Sequence, residues 1–213
     1  MVKRLFDIVF SLICLAILWP IMIVVALAVF FVSPGPVFYR GERSGKDGKV
    51  FKIFKFRTMV LNAEKIGGPS TADNDPRNIR IGRSLRKYKL DEMPQLFNVL
   101  CGEMSIVGPR PQVKRYTDLY RGEEKIILTV KPGMTDYASI AFINLDQILG
   151  NENIDKLYME KIEPEKNKLR IKYAKESSFF TDIKIIWLTF VEIIKVVLLR
   201  KKSRGEQIKN LKS

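Results

Sequence analysis

The fold of this chain is decided first by residues 5 to 32, which read LFDIVFSLICLAILWPIMIVVALAVFFV. As one helix this segment would be about 42 Å long at 1.5 Å per residue, which exceeds the roughly 30 Å hydrocarbon core of a bilayer. The run is too long for a cleaved signal peptide, and no small-residue cleavage site follows it. We therefore predict a membrane helix within residues 1–32.

The topology of this helix stays open from the residues alone. Lys3 and Arg4 precede the apolar segment, and Arg40 and Arg43 follow it. Because positive charge at both ends favours the cytoplasm, the positive-inside rule gives no orientation. Pro20 removes a helical hydrogen bond near the middle and predicts a kink. The helix either spans the bilayer or is re-entrant, entering and leaving by the same leaflet.

Composition limits the chemistry that the chain can perform. The 213 residues include 37 Lys and Arg, 23 Asp and Glu and no His, which gives a net charge of +14. Such a charge predicts an anionic partner: nucleic acid, an anionic membrane or a phosphorylated substrate. The lack of His excludes Ser-His-Asp triads, Cys-His dyads and His-bound zinc. Carboxylates, Lys, Arg, Tyr, hydroxyls or an oxygen-bound metal must carry any catalysis.

Two adjacent acids, Asp91 and Glu92, precede Pro94 and an apolar run that ends at Leu100. We predict a helix from about Glu92 to Leu100. An Asp at a helix start among cations is expected to stay ionised, as a carboxylate nucleophile or metal ligand must be. Acid pairs at helix starts also serve as caps, and this alternative remains open.

The remaining pattern predicts a helix-dominated α+β fold. Short strands are expected at 37–39 and 50–56 around a β-hairpin turn at 45–48. A helix is predicted over 112–131, ended by Pro132 and Gly133.

Basic residues are expected to form binding surfaces. Arg83, Arg86 and Lys87 can share one helical face. Arg110 is held between Pro109 and Pro111, which suits a phosphate or carboxylate, although an ordinary solvated turn is the alternative.

Residues 179–199 predict an amphipathic helix on an anionic membrane face, with a core helix as the alternative. A second spanning helix is disfavoured by the charges within this segment. The expected domains are a membrane helix at 1–32, a cytosolic catalytic domain with interfacial helices at 33–200, and a basic polar tail at 201–213.

Several motifs occur in order along the chain: Lys3–Asp7, Lys55–Met59, Asp75–Arg77, Gly82–Arg83, Leu85–Arg86, Leu90–Leu100, Gly102–Ser105, Val107–Pro111, Lys131–Gly133, and Ser178–Phe179 with Asp182. Together they resemble the bacterial sugar transferase family, the monotopic phosphoglycosyl transferases that load a sugar phosphate onto polyprenol phosphate. The resemblance covers essentially the whole catalytic unit.

The resemblance implies a two-step (ping-pong) reaction. Asp91 would attack the β-phosphate of a UDP-sugar, release UMP and form an aspartyl phosphosugar intermediate. Polyprenol (undecaprenyl) phosphate would then take the phosphosugar, which starts a surface glycan or glycoconjugate. Glu92, with Asp91, would hold Mg²⁺. The substrate site would comprise Lys55, Arg57, Arg86, Pro109, Arg110 and Pro111.

The resemblance also implies a re-entrant membrane helix broken at Pro20, where Trp19 replaces the family's usual Ser. The expected location is the cytoplasmic face of the bacterial plasma (inner) membrane, with the lipid bilayer and other glycan-assembly enzymes as partners and no nucleic acid. Two rival functions remain: a non-catalytic membrane scaffold and a basic nucleic-acid-binding protein.

One segment departs from the family pattern. After Thr135 many members continue Gly-Trp-Ala-Gln-Val-Asn-Gly-Arg, whereas residues 136–143 here read DYASIAFI. We predict that this segment lies near the sugar and selects it.

Overall fold

The computed structural model of the protein describes residues 1–66, 75–143 and 158–210. Helices dominate these residues, as the sequence predicts. The α-helices are α1 (Val2–Val32), α2 (Ala63–Ile66), α3 (Gly82–Lys87), α4 (Gln95–Cys101), α5 (Lys114–Thr117), α6 (Tyr137–Ala141), α7 (Glu163–Glu176) and α8 (Phe179–Asn210). The strands are β1 (Phe38–Tyr39), β2 (Glu42–Ser44), β3 (Val50–Lys52), β4 (Lys55–Phe56), β5 (Ser105–Val107) and β6 (Gly133–Thr135).

The strands form three separate pairs. The predicted hairpin turn at 45–48 joins β2 and β3, and β1 pairs with β4 beside them. The sequence did not predict β2, and the strand expected at 50–56 is divided into β3 and β4. Strands β5 and β6 pair in parallel, with Ser105 opposite Gly133 and Val107 opposite Thr135. The sequence did not predict this third pair, because its two strands are three residues long and separated by 25 residues of chain.

The continuous helix predicted over 112–131 is wrong. The chain forms the short helix α5 and then a 3₁₀ helix at Gly122–Thr129. Gly122 has a φ of 50°, which lies in the left-handed region and interrupts a right-handed helix. The apolar periodicity of the segment is therefore split between two elements.

Helix α1 continues through Pro20 from Val2 to Val32 and is the one described helix long and apolar enough to cross a membrane. Its first half is held to the globular part by hydrogen bonds. Arg4 donates to the carbonyl oxygen of Leu100 at 2.7 Å, and Asp7 accepts from the backbone N–H of Ile106 at 3.0 Å. Asp7 is thus a buried structural partner of β5 rather than a residue among lipid headgroups.

The second half of α1 is held by apolar packing. Met22, Val25 and Val29 are buried against a cluster that includes Phe56 and Leu85. Both halves of α1 therefore contact the same globular unit, because β5 and β4 belong to one packed structure.

The exit from α1 is fixed by Arg57. Its guanidinium donates to the carbonyl oxygen of Pro34 at 2.9 Å and also to that of Ser33. Gly35 has a φ of 111°, and a Cβ there would lie 2.9 Å from Nη1 of Arg57. Glycine is therefore required where the chain leaves the helix.

Helix α8 has one packed face and one exposed face. Ile185 and Asp182 are buried, whereas Phe180, Trp187 and Phe190 are exposed. Asp182 accepts a hydrogen bond from the hydroxyl of Tyr173 in α7 and pairs with Lys3 of α1. The helix runs to Asn210, so part of the predicted polar tail is helical.

Candidate active site

The acid pair lies in a 3₁₀ turn, Leu90–Glu92, directly before α4. The predicted helix therefore begins later, at Gln95, after Pro94. Lys89 has a left-handed backbone with a φ of 55° and turns the chain into this element. The acids are not helix caps: neither side chain caps the 3₁₀ turn or α4.

Glu92 is clamped by two cations. Nζ of Lys55 lies 2.8 Å from Oε1, and Nη1 of Arg110 lies 3.0 Å from Oε2. A second guanidinium nitrogen of Arg110 also bonds Oε1, so the arginine engages both carboxylate oxygens. Two-point pairing fixes the orientation of both groups. The alternative of a solvated Arg110 is excluded by this pairing.

Asp91 is buried without such a clamp. Its side chain is 6% exposed, and Oδ1 has no hydrogen-bond partner among the described residues. Buried carboxylate oxygens are normally hydrogen-bonded, so an orphaned one marks a place where a ligand or solvent is expected. Asp91 carries the free acceptor of the pair.

The two acids have opposite electrostatic environments. Burial, together with the negative charge of Glu92, raises the pKa of Asp91. Burial opposes ionisation of Glu92 as well, but Arg110 and Lys55 hold its pKa well below the usual range. Burial is the largest influence on the pKa of Asp91 and outweighs the nearby cations, which the sequence does not reveal. Asp91 becomes the more basic carboxylate and Glu92 the permanently charged one.

Asn98 of α4 sets the distance between the acid pair and Lys55. Its Oδ1 accepts from the backbone N–H of Phe54 at 2.8 Å, and its Nδ2 donates to the carbonyl oxygen of Lys52 at 3.0 Å. These bonds tie α4 to the chain that joins β3 to β4, and Lys55 is the first residue of β4. Asn98 is fully buried, so its amide has no competing solvent. In the sequence, Asn98 is recognisable only as part of the run that ends at Leu100.

A cleft of about 640 Å³ opens beside the acid pair. This volume is within the range typical of small-molecule sites. Glu92, Lys55, Arg86 and Lys89 line it, and all four act electrostatically on Asp91. Asp91 itself is behind this lining rather than part of it.

The cleft also has an apolar wall. It is formed by α1 and α8, through Phe10, Cys14, Leu18, Ile186, Phe190 and Ile193. The polar acid-pair region and a surface formed by two long apolar helices are thus parts of one cavity.

The structure brings most of the predicted site residues together. Lys55, Arg86, Glu92, Arg110 and Pro111 line the cleft, and Pro109 lies beside it in the same segment.

Two predicted residues are placed elsewhere. The guanidinium of Arg57 donates hydrogen bonds to the carbonyl groups that follow α1. Its assignment to substrate binding is therefore corrected to a structural role. Pro20, predicted as the break in the membrane helix and not as a cleft residue, lies inside the continuous helix α1.

Part of the 136–143 segment lines the cleft, and its selection of the sugar stays a prediction. Ser139, Ile140, Phe142 and Ile143 of this segment line the cleft. Asp136 is buried, and its Oδ1 accepts from the backbone N–H of Ser139 at 2.6 Å, which starts α6. The hydroxyl oxygen of Ser139 is buried without a partner among the described residues.

The sequence missed several cleft residues. Gln95 is 2% exposed, and its Nε2 has no partner in the described part of the chain. Tyr158 and Lys166 also line the cleft. A signal for Gln95 existed, since it lies four residues after Asp91. Lys166 had none, because it is one of many lysines in a polar stretch.

A metal would need ligands beyond the protein. Across 1–66, 75–143 and 158–210, three or more acidic or cysteine side chains do not gather into a metal site. Asp91 Oδ1 has no partner among the described residues, and Glu92 Oε2 accepts a hydrogen bond from Arg110 and keeps a lone pair, so each can offer one oxygen. Mg²⁺ is commonly bound by one or two carboxylates together with substrate phosphates. The donor set fits an ion of this kind.

The chain is similar to known proteins over most of its length. The profile described as "Bacterial sugar transferase" matches residues 1–196. A Bacillus subtilis protein, named as a candidate undecaprenyl-phosphate N-acetylgalactosaminyl 1-phosphate transferase, is 46% identical over 122 residues, covering 57% of this chain and 68% of that protein.

Two longer relatives match more of the chain. The Escherichia coli UDP-glucose:undecaprenyl-phosphate glucose-1-phosphate transferase is 42% identical over 193 residues, 89% of this chain and 39% of that protein. The Salmonella typhimurium undecaprenyl-phosphate galactose phosphotransferase is 36% identical, covering 93% of this chain and 40% of that protein. The chain thus spans about two fifths of these two relatives. Because the family profile covers nearly all of it, the chain belongs to the bacterial sugar transferase family.

Proposed function

We propose that this protein transfers a sugar-1-phosphate from a UDP-sugar to polyprenol phosphate and releases UMP. The observation that carries the proposal is the asymmetric acid pair: a buried Asp91 with a free Oδ1 beside a Glu92 fixed by Lys55 and Arg110. A carboxylate nucleophile needs both basicity and an open oxygen. The family match and the names of the relatives support the same reaction class.

The reaction has two displacements at the β-phosphorus. In the first, Oδ1 of Asp91 bonds to phosphorus, and the bond to the bridging oxygen breaks, so UMP leaves with that electron pair. In the second, a phosphate oxygen of the lipid bonds to the same phosphorus and the bond to Asp91 breaks. Residues next to Asp91 line the cleft, whereas Asp91 itself does not. The attack therefore requires the side chain of Asp91 to rotate until Oδ1 faces the cleft.

The charges of the site suit two anionic substrates. An anion approaching Asp91 meets electrostatic repulsion, which Lys55, Arg86 and Lys89 reduce. Arg110 is held by Glu92 at a fixed position in the cleft, where it can bind a phosphate edge. The protein contributes positioning and charge rather than a proton-transfer base, in agreement with the absence of His.

Mg²⁺ is the ion that the donor set fits best; the carboxylates of Glu92 and Asp91 would hold it together with substrate phosphates, while Oδ1 of Asp91 stays available for the attack on phosphorus. When bound, it neutralises the charge of the phosphates. Glu92 keeps its orientation through Arg110 and Lys55 whether or not it also binds the ion.

A re-entrant α1 is supported by its contacts. Arg4 and Asp7 at one end and Val25 and Val29 at the other all bind the same globular unit. A helix that crossed the bilayer along its normal would carry its two ends to opposite faces, about 30 Å apart across lipid. The exposed apolar faces of α1 and α8 would then rest in one leaflet, at the cytoplasmic face of the plasma membrane.

The first experiment tests the reaction. Protein in nanodiscs is incubated with Mg²⁺ and each of several UDP-sugars, while UMP release and intact mass are followed. We expect UMP and, without lipid acceptor, a phosphosugar adduct that is absent from Asp91→Asn. Full turnover by Asp91→Asn would refute the mechanism, and no UMP with any donor would favour a scaffold. Salt-sensitive DNA binding with unchanged Asp91→Asn behaviour would favour the nucleic-acid alternative.

The second experiment tests the topology. Val2→Cys and Lys46→Cys are made separately in a Cys14→Ser, Cys101→Ser background, because both natural thiols are free. Both positions are exposed at opposite ends of the α1 segment. A membrane-impermeant thiol reagent should label both from the same side of sealed vesicles. Labelling from opposite sides would establish a spanning helix.

The third experiment tests donor selection by residues 136–143. Replacing them with the Gly-Trp-Ala-Gln-Val-Asn-Gly-Arg sequence should change relative rates across a UDP-sugar panel. An unchanged ranking in a folded variant would remove this segment from sugar selection.

A further inference from the structure

Lys166 is a buried lysine that lines the cleft. Its residue is 8% exposed, and it comes from the first turn of α7. Its Nζ lies 5.1 Å from the centre of the Tyr158 ring and 5.5 Å from that of Phe142. All three residues line the same cavity as Arg110 and Glu92. The ammonium group therefore points into a partly aromatic end of the proposed donor cleft.

The described residues provide Lys166 with little negative charge. No carboxylate among them forms an ion pair with it. Glu163, the nearest acid on α7, is already paired with Arg170 at 2.7 Å, and Asp136 caps α6. Buried lysines are normally paired, so a lysine held against two aromatic rings is poised for an anion.

The charges around Lys166 further favour an anionic partner for its ammonium group. Arg170 of α7 and Arg110 of the Pro-Arg-Pro segment act on Lys166 as like charges, while Glu163 and Asp136 partly offset them. Burial is the largest influence, and together these effects lower the pKa of Lys166 to about 8. Tyr158, whose ring faces the ammonium group, has its pKa raised to about 12 by burial and stays neutral.

Arg110 connects this end of the cleft to the acid pair. It bonds Glu92 directly and also interacts electrostatically with Tyr158 and Lys166. A ligand whose reacting phosphate lies at Asp91 can therefore pass Arg110 and reach Lys166.

We infer that Lys166 is an anion-binding residue of the donor site, which receives a negatively charged group of the sugar nucleotide other than the reacting β-phosphate. The inference rests on the proposed function. Two groups of a donor have this chemistry: the α-phosphate that leaves in UMP, and a carboxylate on the sugar of a UDP-uronic acid. The aromatic rings beside Nζ supply flat faces for the adjoining uracil or sugar.

The test measures binding rather than turnover. Dissociation constants for UMP, UDP-glucose and UDP-glucuronate are determined with the full chain in nanodiscs for the natural protein, Lys166→Met, Lys166→Arg and the matched control Lys168→Met. Lys168 is on the same helix but exposed and paired with Glu165. If Lys166 binds the α-phosphate, Lys166→Met should weaken all three ligands about tenfold or more. If it binds a sugar carboxylate, only UDP-glucuronate should weaken.

The pH dependence gives an independent readout. Binding an anion stabilises the charged lysine, so affinity should be full below pH 8 and fall as pH rises towards 9.5. The UMP phosphate is already a dianion over this range, since such groups have a second pKa near 6. Lys55 also has a lowered pKa, so the informative quantity is the difference between the natural protein and Lys166→Met. Lys166→Arg should retain affinity and lose this component.

The outcomes separate the inference from the function on which it rests. If Lys166→Met binds all three ligands like Lys168→Met, with the natural pH profile, the inference is overturned while UMP release still stands. If the natural protein binds no nucleotide and releases no UMP, the proposed function itself fails. Removing a buried charge should not unfold the chain, and the thermal midpoint of each variant checks this.

Discussion

Asp91 and Glu92 are neighbours in sequence and opposites in structure. Glu92 has two cationic partners, whereas Oδ1 of Asp91 has no hydrogen-bond partner among the described residues. The pKa of Glu92 is held well below its usual range, and that of Asp91 is raised. Adjacent carboxylates thus acquire different roles from what surrounds them: one is fixed as a permanent charge, and the other remains a free base.

The largest expected effect comes from removing the free carboxylate. Asp91→Asn should reduce UMP release by about 10³-fold or more, because a covalent nucleophile cannot be replaced by an amide. The same change should raise the thermal midpoint, since burying a charge beside Glu92 costs stability. Scanning calorimetry and UMP release measure both. Asp118→Asn, at an exposed acid, is the control, and a destabilised Asp91→Asn would contradict the electrostatic contrast.

Glu92→Gln should lower both activity and stability. Lys55 and Arg110 would lose their common anion, and Arg110 would lose its fixed orientation. Because the side chain of Arg110 is about one third exposed, we expect a loss of about 1–3 kcal/mol, below that of a fully buried pair. UMP release should fall about 10²-fold. Urea unfolding measures the loss of stability, with Glu165→Gln at an exposed ion pair as the control. An equal free energy of unfolding for the two variants would show that the ion pairs of Glu92 contribute no stability.

The two variants should respond oppositely to acid. A lowered pKa means that Glu92 contributes stability above about pH 4.3, which disappears as pH falls through its folded pKa. A raised pKa means that ionised Asp91 costs stability at neutral pH, and that this cost disappears as pH falls towards about 3.9. Thermal midpoints from pH 7 to 3.5 should show the advantage of Asp91→Asn shrinking first, and the deficit of Glu92→Gln shrinking at lower pH. Parallel curves would contradict this assignment.

Arg110→Lys should have the smallest effect. The charge stays, but a lysine cannot bond both oxygens of Glu92 at once. We expect about a tenfold rise in the KM for the donor with a smaller change in kcat, because positioning is loosened while the nucleophile is intact. Steady-state kinetics separate the two constants, and an unchanged KM would exclude Arg110 from donor binding.

The sequence predicted the membrane helix, the hairpin and most of the residues of the acid-pair site. These depend on local composition or on motifs that lie in one stretch of chain. The sequence-based prediction failed where a side chain could bond to either of two distant segments of the chain. Arg57 lies in a motif with Lys55, yet packing places it on Ser33 and Pro34 instead of the cleft.

The sequence also did not predict the parallel pair β5–β6 or the position of Lys166. A three-residue strand has too little pattern to be recognised, and a lysine in a polar stretch looks exposed until aromatic rings from other elements cover it.

The sequence by itself determined that carboxylates must carry the chemistry, because it contains no His, and that one end of the chain must meet apolar surroundings. Only the tertiary structure decided which carboxylate is free. Arg110 and Glu92 are separated by 18 residues and Lys55 and Glu92 by 37, so their pairing follows from folding. The physical reason is that a pKa depends on desolvation and on charges nearby in space. Both are set by how distant elements pack, as the bonds of Asn98 illustrate.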